Sequence, residues 1–161
     1  MTNTSISSIQ NVRFFIRQVA SSGQPTFEQF SLIRDAGYTC VINLALSTST
    51  GALPDEKALV TSLGMEYVHI PVEWTKPEIN QLANLFGELD NRRGQLVWVH
   101  CAMNYRVSTF LFLYRVIKLG ASQQDAWQDV LSVWQPNEVW LDFIQTSLRH
   151  YGYHCEVYGM Q

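Results

Sequence analysis

The chain has 161 residues, 47% of them hydrophobic, which is typical of one domain with a sizeable core. Its net charge is −3, from 11 basic and 14 acidic side chains, and no basic stripe is present. This balance argues against nucleic acid and anionic membranes as partners, and no apolar run approaches the ~20 residues of a membrane-spanning helix.

The first half of the chain alternates between strand and helix patterns. The segment VRFFIRQVA (12–20) predicts a strand, and SSGQP (21–25) predicts a turn after it. Thr26 and Gln29 form a capping-box pattern at the start of a helix. The mostly apolar TCVINLAL (39–46) is typical of a strand buried on both faces.

The alternation continues in the second half. A short helix that ends at Gly64 leads into MEYVHIPV (65–72), the third predicted strand. Thr75 and Glu78 form a second capping-box pattern before an amphipathic helix. The fourth predicted strand is QLVWVH (95–100).

Three helices are predicted to complete the chain. A largely apolar helix covers residues 106–119, and Ser122 and Asp125 cap the next one. Pro136 stands at the start of a last helix that reaches about Tyr151.

Four alternations of strand and helix predict an α/β fold. We expect a central, mostly parallel sheet of four or five strands with helices on both faces. No linker or repeat divides the chain, so residues 1–161 are predicted to form one domain with its core at about 12–151. Ligands of such sheets bind outside the carboxyl ends of the strands, where HCAMNYR (100–106) lies.

The cysteines indicate a reducing compartment. Cys40, Cys101 and Cys155 form a sparse, odd set, which fits a cytoplasmic protein and no disulfide framework. The N-terminal residues show no signal-peptide pattern. His150 and His154 lie near Cys155, but an intervening glycine would break a shared helical face, so no metal site is predicted.

The segment VWVHCAMNYRVST (97–109) contains the candidate site. A loop between a buried strand and a helix can turn its backbone N–H groups inward to form an anion cradle. Cys101 would be stabilised there as a thiolate, and Arg106 would supply a planar, bidentate donor for phosphate oxygens. The residues expected to contact the substrate are Ala102, Met103, Asn104, Tyr105, Ser108, His100 and Trp74. An inert buried cysteine beside a surface arginine is the alternative.

These residues resemble the signature of a known enzyme group. His100-Cys101, Arg106 and the hydroxyls of Ser108 and Thr109 are similar to the signature of cysteine-dependent protein tyrosine and dual-specificity phosphatases. The resemblance covers about residues 12 to 150. It implies a phosphocysteine intermediate on Cys101, phosphoryl oxygens held by Arg106, and an acidic residue that protonates the leaving group.

Three other segments resemble a bacterial branch of that group. They are SGQPT (22–26), the CVINL strand and YVHIPV. The branch is the phosphatase-like domain related to the one fused to beta-lactamase-hydrolase-like proteins. The resemblance implies a phosphorylated small molecule or phosphoprotein as the substrate, and no metal or organic cofactor.

The chain departs from the phosphatase signature at three points. Four residues separate Cys101 from Arg106, where the signature has five, and four is the spacing of many rhodanese-type sulfurtransferase loops. Asn104 replaces a glycine, and asparagine is the non-glycine residue most able to adopt the left-handed conformation. Val107 replaces the hydroxyl after the arginine, and Ser108 follows one place later.

The general acid is the least defined part of the predicted site. The position that matches the family's acid holds Trp74, and the adjacent Glu73 is the candidate acid. Glu73 is alternatively a solvated loop charge, with Trp74 as a wall of the pocket. We expect His100 to orient the loop by hydrogen bonding, or else to be a core histidine.

The sequence therefore predicts a phosphatase that hydrolyses a phosphate monoester. Two alternatives stay open. A persulfide on Cys101 would carry out sulfur transfer, which the four-residue spacing favours. A non-catalytic phosphate-binding module is favoured by Trp74 in place of an acid.

Overall fold

A computed structural model describes residues 5–157. In that part of the chain the strands are β1 (Arg13–Ile16), β2 (Val19–Ser22), β3 (Cys40–Asn43), β4 (Glu66–His69) and β5 (Val97–His100). The helices are α1 (Gln29–Asp35), α2 (Glu56–Ser62), α3 (Ile79–Asp90), α4 (Tyr105–Leu119), α5 (Gln123–Leu131) and α6 (Glu138–His150), after a short 3-10 helix at Ile6–Ser8. No helix among these residues is both long and apolar enough to cross a lipid bilayer.

The five strands form one mostly parallel sheet in the order β1-β2-β5-β3-β4. Only the β1–β2 pair is antiparallel. The predicted α/β fold with a mostly parallel sheet is confirmed. Because β2, β3, β4 and β5 run in the same direction, their carboxyl ends share one edge of the sheet.

Both faces of the sheet are buried. In β5, Val97 and Val99 pack into a large cluster with α3, α4, α5 and α6, whereas Trp98 points into a smaller cluster with α1 and α2. In β3, Cys40 and Ile42 alternate with Val41 in the same way. This burial explains the nearly continuous apolar patterns of these two strands. Burial also raises the pKa of the Cys40 thiol to about 11, so Cys40 is an unreactive core residue.

Two predicted boundaries were wrong. The segment 12–20 was predicted as one strand, but β1 and β2 form a hairpin that turns at residues 17–18. Ser21 and Ser22, predicted to lie in a turn, extend β2 because they pair with Val99 and His100 of β5. Pairing with the neighbouring strand β5 thus overrides the preference of serine for turns.

The cap of α3 also differs from the prediction. The helix begins at Ile79, after Pro77, and the Glu78 N–H donates to Gln81 Oε1 at 2.9 Å. Proline disfavours helical geometry in the residue before it, so the helix cannot extend back to Thr75. By contrast, the reciprocal bonds between Thr26 and Gln29 are present before α1, and Ser122 accepts from the Asp125 N–H before α5.

Candidate active site

The last residues of the four parallel strands are polar and lie side by side at one edge of the sheet. Ser22 and Asn43 both pair with His100, and Asn43 also pairs with His69. The chain leaves β5 at His100 and enters α4 at Tyr105, so the predicted site loop crosses this edge of the sheet. The strand-to-loop-to-helix arrangement inferred for residues 97–109 is present.

A cavity of about 340 Å³ lies over this loop. It is lined by Leu46, Thr48, Ser49, Thr50, Trp74, Cys101, Ala102, Met103, Tyr105 and Arg106. The nucleophile candidate Cys101 and the anion-clamp candidate Arg106 therefore face the same space. No residue lining this cavity in the described part of the chain carries a carboxylate.

The loop carbonyls are bonded away from the cavity. The Ala102 carbonyl accepts from the Gln24 N–H at 3.0 Å, and the Met103 carbonyl accepts from Asn11 Nδ2 at 3.0 Å. Within residues 5–157, the backbone N–H groups of Ala102, Met103, Tyr105 and Arg106 have no hydrogen-bond acceptor, whereas an isolated bridge between Gly23 and Met103 ties the loop to the end of β2. Unpaired N–H groups at a helix N-terminus favour an anion.

Gly23 allows the loop to approach β2 closely. A Cβ atom at this position would lie 2.6 Å from the carbonyl oxygen of Ala102 and 3.3 Å from the Cα atom of Met103. Both are backbone atoms, so any larger residue at position 23 would displace the loop. The glycine is required for this close approach and not for an unusual φ angle.

Asn104 has φ 71° and ψ 1°, in the left-handed region. The positive φ predicted from the asparagine-for-glycine replacement is confirmed. Its side-chain Nδ2 donates to the Asn11 carbonyl at 2.8 Å and to Ser21 Oγ at 3.1 Å. Asn104 thus turns the backbone toward the cavity and ties the loop to the segment before β1.

The Arg106 side chain is held in place from one side. Its Nη1 donates to the Val72 carbonyl at 2.9 Å, and its Nη2 lies 3.5 Å from Ser49 Oγ. Only 5% of the residue is exposed. A guanidinium anchored in this way keeps a fixed orientation toward the cavity, as bidentate recognition of an oxyanion needs.

His100 lies behind the loop and does not line the cavity. Its ring is fully buried, with Nδ1 at 3.1 Å from the Cys101 carbonyl oxygen and Nε2 at 2.7 Å from Glu56 Oε2. It therefore contacts the loop backbone, as the orienting role requires. The direct substrate contact suggested by the sequence does not fit this position.

Ser108 also lies outside the cavity that holds Cys101. Its Oγ donates to the Tyr105 carbonyl at 3.0 Å, and the side chain borders a different, narrow cavity beside Phe112. Thr109 makes the same type of bond at 3.1 Å. These hydroxyls are one helical turn past Tyr105, so they bond back to its carbonyl instead of reaching the loop.

Glu73 is exposed and lies outside the cavity lining. It forms an isolated bridge with Lys76, whose N–H donates to the Glu73 carbonyl at 3.2 Å. Trp74 is the residue of this segment that lines the cavity. The structure thus brings Trp74, and not the predicted acid, to the site.

Trp74 belongs to an aromatic cluster formed with Tyr105, Trp134 and Trp140. Its ring centroid lies 5.2 Å from that of Trp134 and 6.1 Å from that of Tyr105. Trp140 Nε1 donates to the Trp74 carbonyl at 2.8 Å, and Tyr105 stacks on Trp134 with centroids 4.8 Å apart. These contacts fix Trp74 as a rigid apolar wall of the cavity.

Four residues that support the site were not predicted from the sequence: Asn11, Gly23, Ser49 and Glu56. Ser49 lies in a polar loop, and Glu56 resembles an ordinary charge in the first turn of a helix. Only the SGQPT resemblance pointed to Gly23. Within residues 5–157, no three His, Cys, Asp or Glu side chains cluster as metal ligands would.

Two solved structures of one bacterial protein show this architecture. They are structures of a candidate phosphatase (DUF442) from Shewanella putrefaciens CN-32. The first is 34% identical to this chain, with a TM-score of 0.82 over 92% of this chain and 97% of that one. The second is 35% identical, with a TM-score of 0.78 over 95% and 100%. The chain belongs to the DUF442 family.

More distant structures share the fold of this DUF442 protein. Tk-PTP in the active form is 19% identical, with a TM-score of 0.74 over 86% of this chain and 96% of that one. The catalytic domain of the PP-IP phosphatase SIW14 from S. cerevisiae is 15% identical, with a TM-score of 0.71 over 85% of each chain. The predicted protein tyrosine phosphatase-like fold is confirmed, while the narrower resemblance to the beta-lactamase-hydrolase-like branch stays a prediction. No family profile and no curated protein matches the chain.

Proposed function

We propose that this DUF442 protein is a cysteine-dependent phosphatase that hydrolyses a phosphate monoester. The observation that carries the proposal is the set of unpaired N–H groups at Ala102, Met103, Tyr105 and Arg106, residues that line one cavity together with Cys101. An inert structural cysteine would not need a loop whose amides lack acceptors. A thiolate with a neighbouring oxyanion cradle is the arrangement of a covalent catalyst.

The reaction proceeds in two displacements. The Cys101 thiolate attacks phosphorus, the S–P bond forms, and the ester P–O bond breaks with its electron pair leaving on the ester oxygen. Water then attacks phosphorus, the S–P bond breaks, and phosphate and the thiolate are released. Arg106 and the loop N–H groups hold the three non-bridging oxygens in both steps. Neither step needs a metal or an organic cofactor.

The substrate class follows from this chemistry. We infer a phosphorylated small molecule or a phosphoprotein, because only the phosphoryl group is held by the Cys101 loop. The sparse, reduced cysteines suit a cytoplasmic location.

Sulfur transfer is the second candidate function. The observation that favours it is the four-residue spacing between Cys101 and Arg106, since a shorter ring of N–H groups suits a smaller guest than a phosphoryl group. In that reaction the Cys101 thiolate attacks the outer sulfur of thiosulfate, a persulfide forms, and sulfite leaves with the bonding electron pair.

A third possibility, a phosphate-binding module without turnover, is favoured by the cavity's lack of a carboxylate. Such a module would bind the phosphoryl oxygens at the same N–H groups and at Arg106. No bond to Cys101 would form.

Mass spectrometry of the intact protein separates the three functions. The protein is incubated with p-nitrophenyl phosphate or with thiosulfate, quenched in acid, and the modified peptide is mapped. We expect a phosphoryl adduct on Cys101 that Cys101→Ser abolishes without loss of the folded circular dichroism spectrum. A persulfide on Cys101 would support sulfur transfer instead, and neither adduct together with sulfate binding would support the non-catalytic module.

A further inference from the structure

A buried carboxylate–imidazole pair lies behind the proposed nucleophile. Glu56, at the start of α2, is only 6% exposed, and its Oε2 lies 2.7 Å from Nε2 of the fully buried His100. His100 immediately precedes Cys101 in the chain. The proposed phosphoryl transfer does not itself use Glu56, yet a carboxylate is rarely buried without a partner or a role.

Both ring nitrogens of His100 face oxygen atoms. Nδ1 lies 3.1 Å from the Cys101 carbonyl oxygen, which can only accept, so Nδ1 carries a proton. The proton between Nε2 and Glu56 belongs either to the ring or to the carboxyl group. In the first case His100 is an imidazolium paired with a carboxylate, and in the second case both groups are neutral.

The surroundings of Glu56 favour the carboxylate. Gln24 Nε2 donates to Glu56 Oε1 at 2.8 Å, and the Tyr67 hydroxyl also interacts with the carboxylate. Burial alone raises the pKa of Glu56, but the hydrogen bond and charge of His100, with the bonds from Gln24 and Tyr67, outweigh it and set the pKa below its usual value. Because Gln24 and Tyr67 both donate to Glu56, its oxygens act as acceptors, and this geometry favours placing the shared proton on the ring.

Tyr67 remains a donor to this carboxylate. Burial, opposed by the bond from Asn43 and reinforced by the charge of Glu56, raises the pKa of Tyr67 to about 12. Asn43 Nδ2 donates to the Tyr67 oxygen at 3.0 Å, which leaves the hydroxyl proton available to Glu56.

We propose that Glu56 is a positioning residue for Cys101: its buried carboxylate keeps His100 protonated on both ring nitrogens and so fixes a positive charge behind the nucleophile. The charge lies in the interior, where screening by water is weak, and it stabilises a thiolate on the next residue. Arg106 supplies a second cation from the cavity side. The catalytic consequence of this inference rests on the proposed function.

Other charged groups near the pair do not replace this contact. Asp55 and Lys57 flank Glu56 and line a neighbouring cavity of about 500 Å³ together with His69. The His69 Nε2 lies 2.6 Å from the Ala45 carbonyl oxygen, and the only ion pair that Glu56 forms within residues 5–157 is the one with His100.

The apolar side of the pair is closed by α1, from which the Phe30 ring packs edge-on against His100 at 6.0 Å.

The test measures alkylation of Cys101 by iodoacetamide against pH, read on the Cys101 peptide by mass spectrometry. Glu56→Gln is close in size and can donate to a neutral Nε2, so His100 loses its charge while both ring contacts persist. We expect the alkylation midpoint of Glu56→Gln to lie about one pH unit above that of the wild type. Asp129→Asn, which breaks the Arg115–Asp129 ion pair between α5 and α4, is the matched control and should leave the midpoint unchanged.

A midpoint in Glu56→Gln equal to that of the wild type would overturn the inference, whatever its effect on stability. If the wild type already titrates like an ordinary thiol, near ~8.5, the anion site and hence the proposed function fail as well. The two failures are thus distinguishable.

A second measurement needs no variant at Glu56. Nitrogen-15 NMR of the wild-type imidazoles, with His100 assigned by its loss in His100→Asn, should show both His100 nitrogens protonated at pH 7. A ring with one protonated nitrogen at pH 7 would overturn the inference even if Glu56→Gln does not fold.

Discussion

Two of the walls of the Cys101 cavity differ in chemistry. The wall formed by the 101–106 loop is polar, with unpaired N–H groups and the Arg106 guanidinium. Another wall, formed after β4, presents the Trp74 indole, which is 38% exposed, and no carboxylate. The first wall can bind and stabilise an oxyanion, whereas the second cannot donate a proton.

Because of this difference between the walls, we expect the protein to stabilise the phosphoryl oxygens but not to protonate the leaving group. Oxyanion stabilisation lowers the barrier for any phosphate ester, but protonation matters only when the leaving oxygen is a strong base. A cavity with one wall of each kind should therefore favour esters of acidic alcohols or phenols.

The polar wall is tested most severely by Arg106→Lys. The variant keeps the charge but loses the planar pair of donors, so we expect turnover of p-nitrophenyl phosphate to fall roughly 10²-fold. Arg115→Lys, on the same helix but outside the cavity lining, is the matched control and should retain activity. Comparable turnover in both variants would show that Arg106 does not clamp the substrate.

The left-handed backbone at Asn104 is the next part of this wall to test. Asn104→Val places a β-branched residue at φ 71°, which costs about 1–3 kcal/mol of strain and should weaken sulfate binding in calorimetry. Asn104→Gly keeps the conformation and should bind sulfate nearly as well, although it loses two side-chain hydrogen bonds and should unfold at a lower temperature. Equal sulfate affinity in the valine variant would contradict the argument from φ.

The polar wall could be predicted from the sequence because its main residues are local. A buried strand, a cysteine, a four-residue loop and an arginine lie within 13 residues, and the chemistry of each is visible without tertiary contacts. The role of Asn104 followed from backbone sterics alone.

The residues that support this wall could not be predicted in the same way. Glu56 lies 44 residues from His100, and Asn11 lies 92 residues from Met103. Such contacts depend on strand order and on where each loop crosses the sheet edge. No local period marks Glu56 as buried, since a glutamate in the first turn of a helix is normally a solvated charge.

Gly23→Ala tests the packing behind the polar wall. The added methyl group would lie 2.6 Å from the Ala102 carbonyl oxygen, so the loop must move and turnover should fall about fivefold to tenfold, as a cost of about 1–1.4 kcal/mol would produce. Gly87→Ala, in α3, is the control: apart from its chain neighbours and the backbone of its own helix, no atom lies within 4 Å of the added Cβ, and alanine favours helix. Unchanged turnover in Gly23→Ala would show that the loop tolerates displacement.

The smallest effect is expected on the apolar wall, from Glu73→Gln. If Glu73 were the general acid, its loss would slow hydrolysis of an alkyl phosphate by the ~10²–10⁴-fold that proton transfer typically contributes. The loss of Glu73 would also remove the alkaline limb of the pH–rate profile. The rate of p-nitrophenyl phosphate hydrolysis would stay unchanged. Because Glu73 is exposed and Trp74 is fixed by its aromatic contacts, we expect neither change.

Instead, the wild type should already hydrolyse alkyl phosphates slowly, with rates that depend steeply on the basicity of the leaving group, and Glu73→Gln should match it on every ester. A selective loss on alkyl phosphates would mean that Glu73 swings into the cavity during turnover, and the contrast between the walls would then be limited to the free enzyme. Equal losses on both esters would assign Glu73 a structural role, through its bridge with Lys76, because a general acid cannot affect an ester that needs no proton as much as one that does.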